Sequence, residues 1–229
     1  MKKFVPVYEG ELRKHSIQVP RCISECSGIR IFGRRIKSLV FSTDVAIIKN
    51  INADAVIAVY PFTPQQIIAD AIVSTSSLPV FCGVGGGTTT GARVVMLAKD
   101  AEAFGAMAVV VNAPTTNDVI AQIADIIDIP IVVTVLDENT DIDARLEAGA
   151  TIFNVSAAAR TPEVVRILRE RYPDLPIIAT GGPSRESIRE TVAAGANAIS
   201  FTPPTAEELF HGLMTRYRNE HESKTKGEA

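Results

Sequence analysis

Gly105-Ala-Met-Ala-Val-Val-Val-Asn112 is one of four copies of a single pattern, the others being Asn52-Ala-Asp-Ala-Val-Ile-Ala-Val-Tyr60, Gly149-Ala-Thr-Ile-Phe-Asn-Val-Ser156 and Gly195-Ala-Asn-Ala-Ile-Ser-Phe-Thr202. Each opens on a small pair, continues as an apolar run of strand length, and recurs after roughly 44 to 53 residues. Midway between them stand Leu78-Pro-Val-Phe-Cys82, Ile129-Pro-Ile-Val-Val-Thr134 and Leu175-Pro-Ile-Ile-Ala-Thr180. Proline suits the first residue of a strand, where no ladder donor is needed. Ile36 to Phe41 adds an eighth run. The stretches between runs carry helical spacing, as in Ile67, Ile68, Ala71, Ile72 and in Val164, Val165, Ile167, Leu168. Strands alternating with helices pair in parallel through right-handed crossovers, and eight such units in about 180 residues close into a (β/α)8 TIM barrel. An open doubly wound sheet has no need of four quasi-equal quarters.

Composition agrees. The 229 residues are 46% hydrophobic and 21% charged, enough for one large core. Twenty-three basic against 26 acidic residues leave −3, which disfavours nucleic acid as a partner. The longest uncharged stretch, Ala71 to Ala92, is too rich in Ser, Thr, Gly and Pro to sit in lipid, and Met-Lys-Lys at the start leads into Glu9, Glu11 and Arg13 rather than an apolar signal core. The expectation is a cytoplasmic protein without a membrane partner, its three cysteines reduced. Residues 1–35 read as a basic arm ending in a short hairpin around Phe32-Gly33, residues 36–218 as the barrel, and residues 219–229 as a disordered polar tail. The arm's charge suggests a homo-oligomer formed through it.

The repeats also phase the strands. Val56 and Ala58, Val109 and Val111, Phe153 and Val155, Ile199 and Phe201 are apolar in every copy and face the helices, which turns the alternate positions inward. Those become polar toward the strand ends, giving Asn112, Asn154, Ser156 and Thr202, with Thr134 and Thr180 inward by the same phase. Sites in such barrels lie at the C-terminal mouth, so Asn112, Asn154, Ser156, Thr180 and Thr202, with Arg160 in the following loop, are candidate substrate-binding residues. Internal hydrogen bonding is the competing reading for Asn154 and Ser200, which lie deeper. Cys82 faces outward, under a helix, and Cys22 and Cys26 lack the further ligands of a metal centre. No metal site is assigned.

Two loops are glycine-rich. Gly85, Gly86, Gly87 and Thr88 follow strand three, and Gly181-Gly182-Pro183-Ser184 follows strand seven; both open helices and offer backbone donors to an anion such as phosphate. Thr202-Pro203-Pro204-Thr205 after strand eight has lost two donors to proline.

Pro176-Ile-Ile-Ala-Thr-Gly-Gly-Pro183, followed by Glu190-Thr-Val-Ala-Ala-Gly-Ala-Asn-Ala-Ile199, resembles the last two βα units of the phosphate-binding, aldolase-type TIM-barrel superfamily. In layout the chain is similar to N-acetylmannosamine-6-phosphate 2-epimerase and to ribulose-phosphate-binding barrels. The resemblance implies the barrel and a phosphorylated ligand. It does not extend to catalysis: the mannosamine-phosphate epimerase pattern has Glu where this chain has Thr180 and Lys where it has the Gly83 to Gly87 run, and none of His15, His211 and His221 falls at a strand end.

The acidic groups at the mouth are Asp44, Asp137 and Glu138. Asp137 is the first charge beyond an uncharged strand and is the leading acid/base candidate, with Glu138 and Asp44 behind it. Asp44 is equally placed to cap the first helix, and Glu138 or Asp141 the fifth. The reading is an isomerase or lyase, less readily a hydrolase, acting on a small phosphorylated metabolite by carboxylate chemistry. An FMN-binding oxidoreductase and a non-catalytic phosphometabolite sensor are the alternatives. No cofactor is required by the first reading; Mg²⁺ on two carboxylates or FMN on Gly181-Gly182 are the candidates.

Overall fold

The computed structural model describes residues 3–8, 10 and 16–227. A hairpin comes first, β1 (Ile29–Ile31) and β2 (Arg34–Ile36), paired antiparallel. The barrel follows: β3 (Ser38–Phe41), α1 (Val45–Lys49), β4 (Ala55–Ala58), α2 (Gln66–Thr75), β5 (Val80–Gly85), α3 (Ala92–Ala103), β6 (Ala108–Val111) and α4 (Asn117–Ala124). It is completed by β7 (Ile131–Val135), α5 (Ile142–Glu147), β8 (Ile152–Val155), α6 (Thr161–Arg171), β9 (Ile177–Thr180), α7 (Arg185–Ala193), β10 (Ala198–Phe201) and α8 (Ala206–Gly227). Strands β3 to β10 are all parallel and close into a barrel, β10 pairing with β3 through Ile199 opposite Ser38. The (β/α)8 architecture is therefore the observed one. Ile36 belongs to the hairpin, so the first barrel strand begins two residues later than the apolar run suggested. Residues 219–227, set apart by composition as a tail, continue α8, since Asn219 to Lys226 contains neither proline nor glycine to stop a helix; residues 228 and 229 lie outside the described residues.

The strand-opening prolines do what their missing donors permit. The carbonyls of Pro79, Pro130 and Pro176 accept from Val56, Val109 and Phe153 on the preceding strand, at 2.8, 3.0 and 2.9 Å. Side-chain alternation then sorts two cores. Leu39, Ala55, Ile57, Phe81, Ala108, Val110, Val132, Ile152, Ile178 and Ala198 fill the interior. Val56, Ala58, Val109, Val111, Phe153, Val155 and Ile199 pack outward with helix residues such as Ile120, Ile123, Val164 and Leu168, as the repeat phase requires.

The hairpin closes the end opposite the mouth. Phe32 and Gly33 both take positive φ, 46° and 81°, which gives the tight two-residue reversal a hairpin favours. Ile31 and Ile36 then join the interior core as a plug. Gly28 N donates to Asn197 O at 2.8 Å, and Asp54 Oδ2 accepts from Lys37 N, Ser38 N and Ser38 Oγ at 2.9 to 3.0 Å. The barrel thus keeps one open end. Among the described residues no helix is long and apolar enough to cross a membrane.

All three cysteines are buried and free. Burial pushes the Cys82 thiol up to about 12 and Cys26 up to about 11. Both are expected to resist iodoacetamide in the folded protein at pH 8 and to react within minutes in guanidinium, as counted by mass spectrometry; rapid native labelling at Cys82 would contradict its place under the helices.

Candidate functional site

The mouth is built on an arc of uncharged polar side chains. Thr134 on β7 stands opposite Asn154 on β8, and Thr180 on β9 opposite Ser200 on β10. All four occupy inward positions one layer above the apolar interior. On the other half of the barrel the strands present Ile57, Gly83 and Val110, so the floor of the mouth is polar on one side and apolar on the other. Asn154 is 9% exposed, and its Oδ1 is enclosed without a hydrogen-bond partner. Leaving a buried carbonyl oxygen unpaired costs about 1–3 kcal/mol, so internal satisfaction does not account for this residue.

The two glycine loops do not form one site. Strands β5 and β9 are four apart in the closed order and their loops stand on opposite sides of the mouth. Gly85 to Thr88 and Asn112 line a cleft of about 240 Å³ with Val59, Tyr60 and Phe62. Here the glycines serve packing first. A Cβ on Gly86, at φ 106°, would lie 2.5 Å from Asn112 Cβ, and one on Gly85 2.5 Å from Val94 Cγ2. Gly86 N is already bonded to Thr89 O at 2.9 Å, which removes it as an anion donor.

Thr180, Gly182, Ser184, Ser200 and Thr202 line the mouth end of a larger groove, about 1450 Å³, that runs past Arg185 and Arg189 on α7 to Ile17 and Cys22 of the arm. Ser184 caps α7 in a capping box with Ser187, and Gly182 takes φ 78° where a Cβ would sit 2.6 Å from Ser187 Oγ. Any larger residue at 182 would therefore disturb the helix start as well as the approach of a ligand. The amides of Arg185 and Glu186, in the first turn of α7, have no partner within the helix. Sequence reasoning overlooked Arg185 and Arg189. The signal was available, since Pro183-Ser184 marks a helix start and Arg185 immediately follows it.

The three candidate carboxylates differ sharply. Asp44 Oδ1 accepts from Ala46 N and Ile47 N at 2.8 and 3.2 Å, so it is the α1 cap. Asp141 caps α5 by accepting from Ala144 N. Glu138 is ion-paired to Arg160 at 2.7 Å, and Arg160 also reaches Glu163 at 3.0 Å. The Arg160 hydrogen bond is the chief cause that holds the Glu138 carboxyl below the usual range, and the Arg160 pKa is raised by its hydrogen bonds to Glu163 first and to Glu138 second. Glu138 is thus a poor base, and Arg160 is occupied by two carboxylates rather than offered to a substrate. Asp137 Oδ1 accepts from Asn139 N at 2.9 Å within its own turn and makes no bond to Asn112 or Asn154, leaving Oδ2 open. Between these loops Ser156 N is tied to Val135 O at 2.8 Å, and Ala158 sits at φ 51°, a strained value for a residue with a Cβ.

The lowered Glu138 pKa has a pH consequence. The pair stabilises the fold above the unfolded carboxyl pKa, and the contribution disappears as pH falls through the lower folded value. Glu138→Gln should lower the melting temperature slightly at pH 7, and the difference from the parent should shrink steadily as pH falls below the ordinary carboxyl range; a difference independent of pH would assign the effect to something other than charge.

No group of three His, Cys, Asp or Glu side chains capable of holding a metal occurs among the described residues. With Asp44 capping and Glu138 paired, the mouth does not present the two free carboxylates a Mg²⁺ site was expected to use, and no step is derived through a metal.

The chain matches no known family profile. Over 93 residues it is 28% identical to thiamine-phosphate synthase of Oceanobacillus iheyensis, a stretch that covers 41% of this chain and 39% of that protein. Among solved structures, a phosphonopyruvate hydrolase superposes with a TM-score of 0.61 at 13% identity, covering 90% of this chain and 86% of that one. The phosphoenolpyruvate phosphomutase of Streptomyces platensis gives 0.59 at 15%, again over 90% and 86%. The shared fold is the TIM barrel. Mandelate oxidase superposes too, at 0.58 and 16% over 77% of this chain and 68% of that one, so the barrel by itself does not choose a chemistry.

Proposed function

We propose that the barrel is an isomerase or lyase acting on a small phosphorylated metabolite, bound with its phosphate at the start of α7 and its reacting end over the polar arc. The observation that carries this reading is the enclosed, unpartnered Asn154 Oδ1, which needs a hydrogen-bond donor that the chain does not supply. A substrate hydroxyl supplies it. The phosphate is then held by the free first-turn amides, the Ser184 hydroxyl and the Arg185 guanidinium. Thr134, Thr180 and Ser200 complete the polar wall, while the Ile57 and Val110 side excludes water from the carbon skeleton. Asp137, through its open Oδ2, removes and returns a proton at a carbon next to the substrate carbonyl. The other two carboxylates are spent on a cap and an ion pair.

The test is calorimetry of a panel of sugar and keto-acid phosphates against the parent and Asn154→Ala. A ligand that binds the parent and loses about tenfold or more in affinity to Asn154→Ala supports the reading. Equal binding to both, or no binding by any phosphorylated compound, refutes it. Binding without turnover of any member would favour the sensor. A flavin phosphate would use the same cup, and failure of the protein to take up FMN on titration would remove that alternative.

A further inference from the structure

Three locally unfavourable choices meet at the closed end of the barrel. Phe32, at the first central position of the hairpin turn, stands at φ 46°, a conformation that asparagine or glycine adopts readily and a bulky side chain does not. Its ring is 67% exposed. Arg30 lies directly opposite Arg35 in the ribbon, a like-charge pair that works against strand pairing, and both side chains are exposed. Arg35 Nε donates to Ser27 O, but among the described residues Arg30 and Arg34 meet no carboxylate. Asp125 ends α4, where the helix dipole disfavours an acid. Local rules broken together on one surface, without compensation inside the chain, point to a partner.

The same surface holds a groove of about 500 Å³, separate from the mouth. The hairpin contributes Ile29, Ile31 and Phe32 to it, and the barrel contributes Ile127, Ile129 and Pro130. Its banks differ in charge. Arg30 lines it from the hairpin, with Arg34 and Arg35 on the same ribbon; Asp128 lines it from the barrel, followed on that side by Asp125 and the carbonyl end of α4. Asp125 and Asp128 are exposed, and no ion pair joins the two banks within the chain. An apolar groove and an apolar knob, set between a basic bank and an acidic one, are complementary to their own image after half a turn.

We propose that the closed end is a dimer interface, in which the Phe32 ring of each copy enters the groove of a second copy of this chain and the hairpin arginines face Asp125 and Asp128 of that copy about a two-fold axis. The size fits: a dry cavity of about 150 Å³ takes a benzene ring, so a groove of about 500 Å³ takes a phenyl ring with the side chains beside it. The contact gives Arg30 and Arg34 the carboxylates they lack and covers an aromatic ring that the turn holds out in water. Being isologous, it fills both grooves with both knobs, so association stops at two. Both mouths face away from the contact, which leaves ligand access at Asn154 unchanged.

Sedimentation equilibrium of the full chain at tens of micromolar should give twice the mass of one chain. Phe32→Asn removes the ring and makes the turn Asn-Gly, the pair such a reversal favours. Self-association should therefore weaken about thirtyfold or more, while the melting temperature of the variant as a single chain is no lower than the parent's. Arg30→Glu with Arg34→Glu sets acid against acid and should weaken association at least about tenfold. Adding Asp125→Arg and Asp128→Arg to that chain exchanges the two banks and should recover most of the loss. A parent of single-chain mass, including one that then binds a polyanion such as heparin, an unchanged dimer in Phe32→Asn, or a four-residue exchange that recovers nothing would each overturn the proposal.

Discussion

Phe81→Ala should cost the barrel about 3–5 kcal/mol, a large share of the roughly 5–15 kcal/mol that holds a domain folded. Phe81 is fully buried within the interior core, paired with Ile57 on β4 and Ala108 on β6. Ala108 makes room for the ring on one side, so its removal leaves a hole that this neighbour is too short to fill. Nor can the walls move in, because strand spacing is set by hydrogen-bond ladders on both edges of β5. Urea unfolding should show a lower midpoint with little change in slope. A loss below about 1.5 kcal/mol would mean that the interior relaxes like a surface site.

Asp137→Asn is expected to lower kcat at least about a hundredfold once a substrate is in hand, with the ligand still bound. The substitution keeps the shape and the acceptor for Asn139 N, and takes away only the proton-carrying oxygen. Asp44→Ala should instead show itself in stability, since it removes the α1 cap, and Glu138→Gln in the acid limb of the melting curve. Retained kcat in Asp137→Asn, with unchanged folding, would take the acid/base role away from this residue.

The fold was legible because its signal is periodic. A repeat every two strands places eight βα units, and strict alternation within a strand decides what faces the helices, which puts Cys82 on the outside. Asp44 as a cap was likewise readable, being a lone acid directly before Val45-Ala-Ile-Ile48. What the sequence hid are relations between loops. Glu138 and Arg160 are 22 residues apart and meet only because β7 and β8 are neighbours. The separation of the two glycine loops follows from barrel order, which local composition does not show. That α8 buries none of its described side chains is also a relation, set by where Thr202-Pro203-Pro204-Thr205 leads the chain away from β10.

The pairing of β10 with β3 joins the two ends of the barrel sequence, Ile199 beside Ser38. On a ribosome adding about 5–20 residues per second, β3 leaves the tunnel roughly ten to thirty seconds before its partner does. Throughout that interval the nascent chain carries an unpaired strand edge made of Ser38, Leu39 and Val40. That edge is a template for any other growing copy. Yield during synthesis is therefore set less by the finished barrel's stability than by translation speed and by whatever shields this edge, so slow codons after β3 should raise the insoluble fraction and a trigger-type chaperone should lower it.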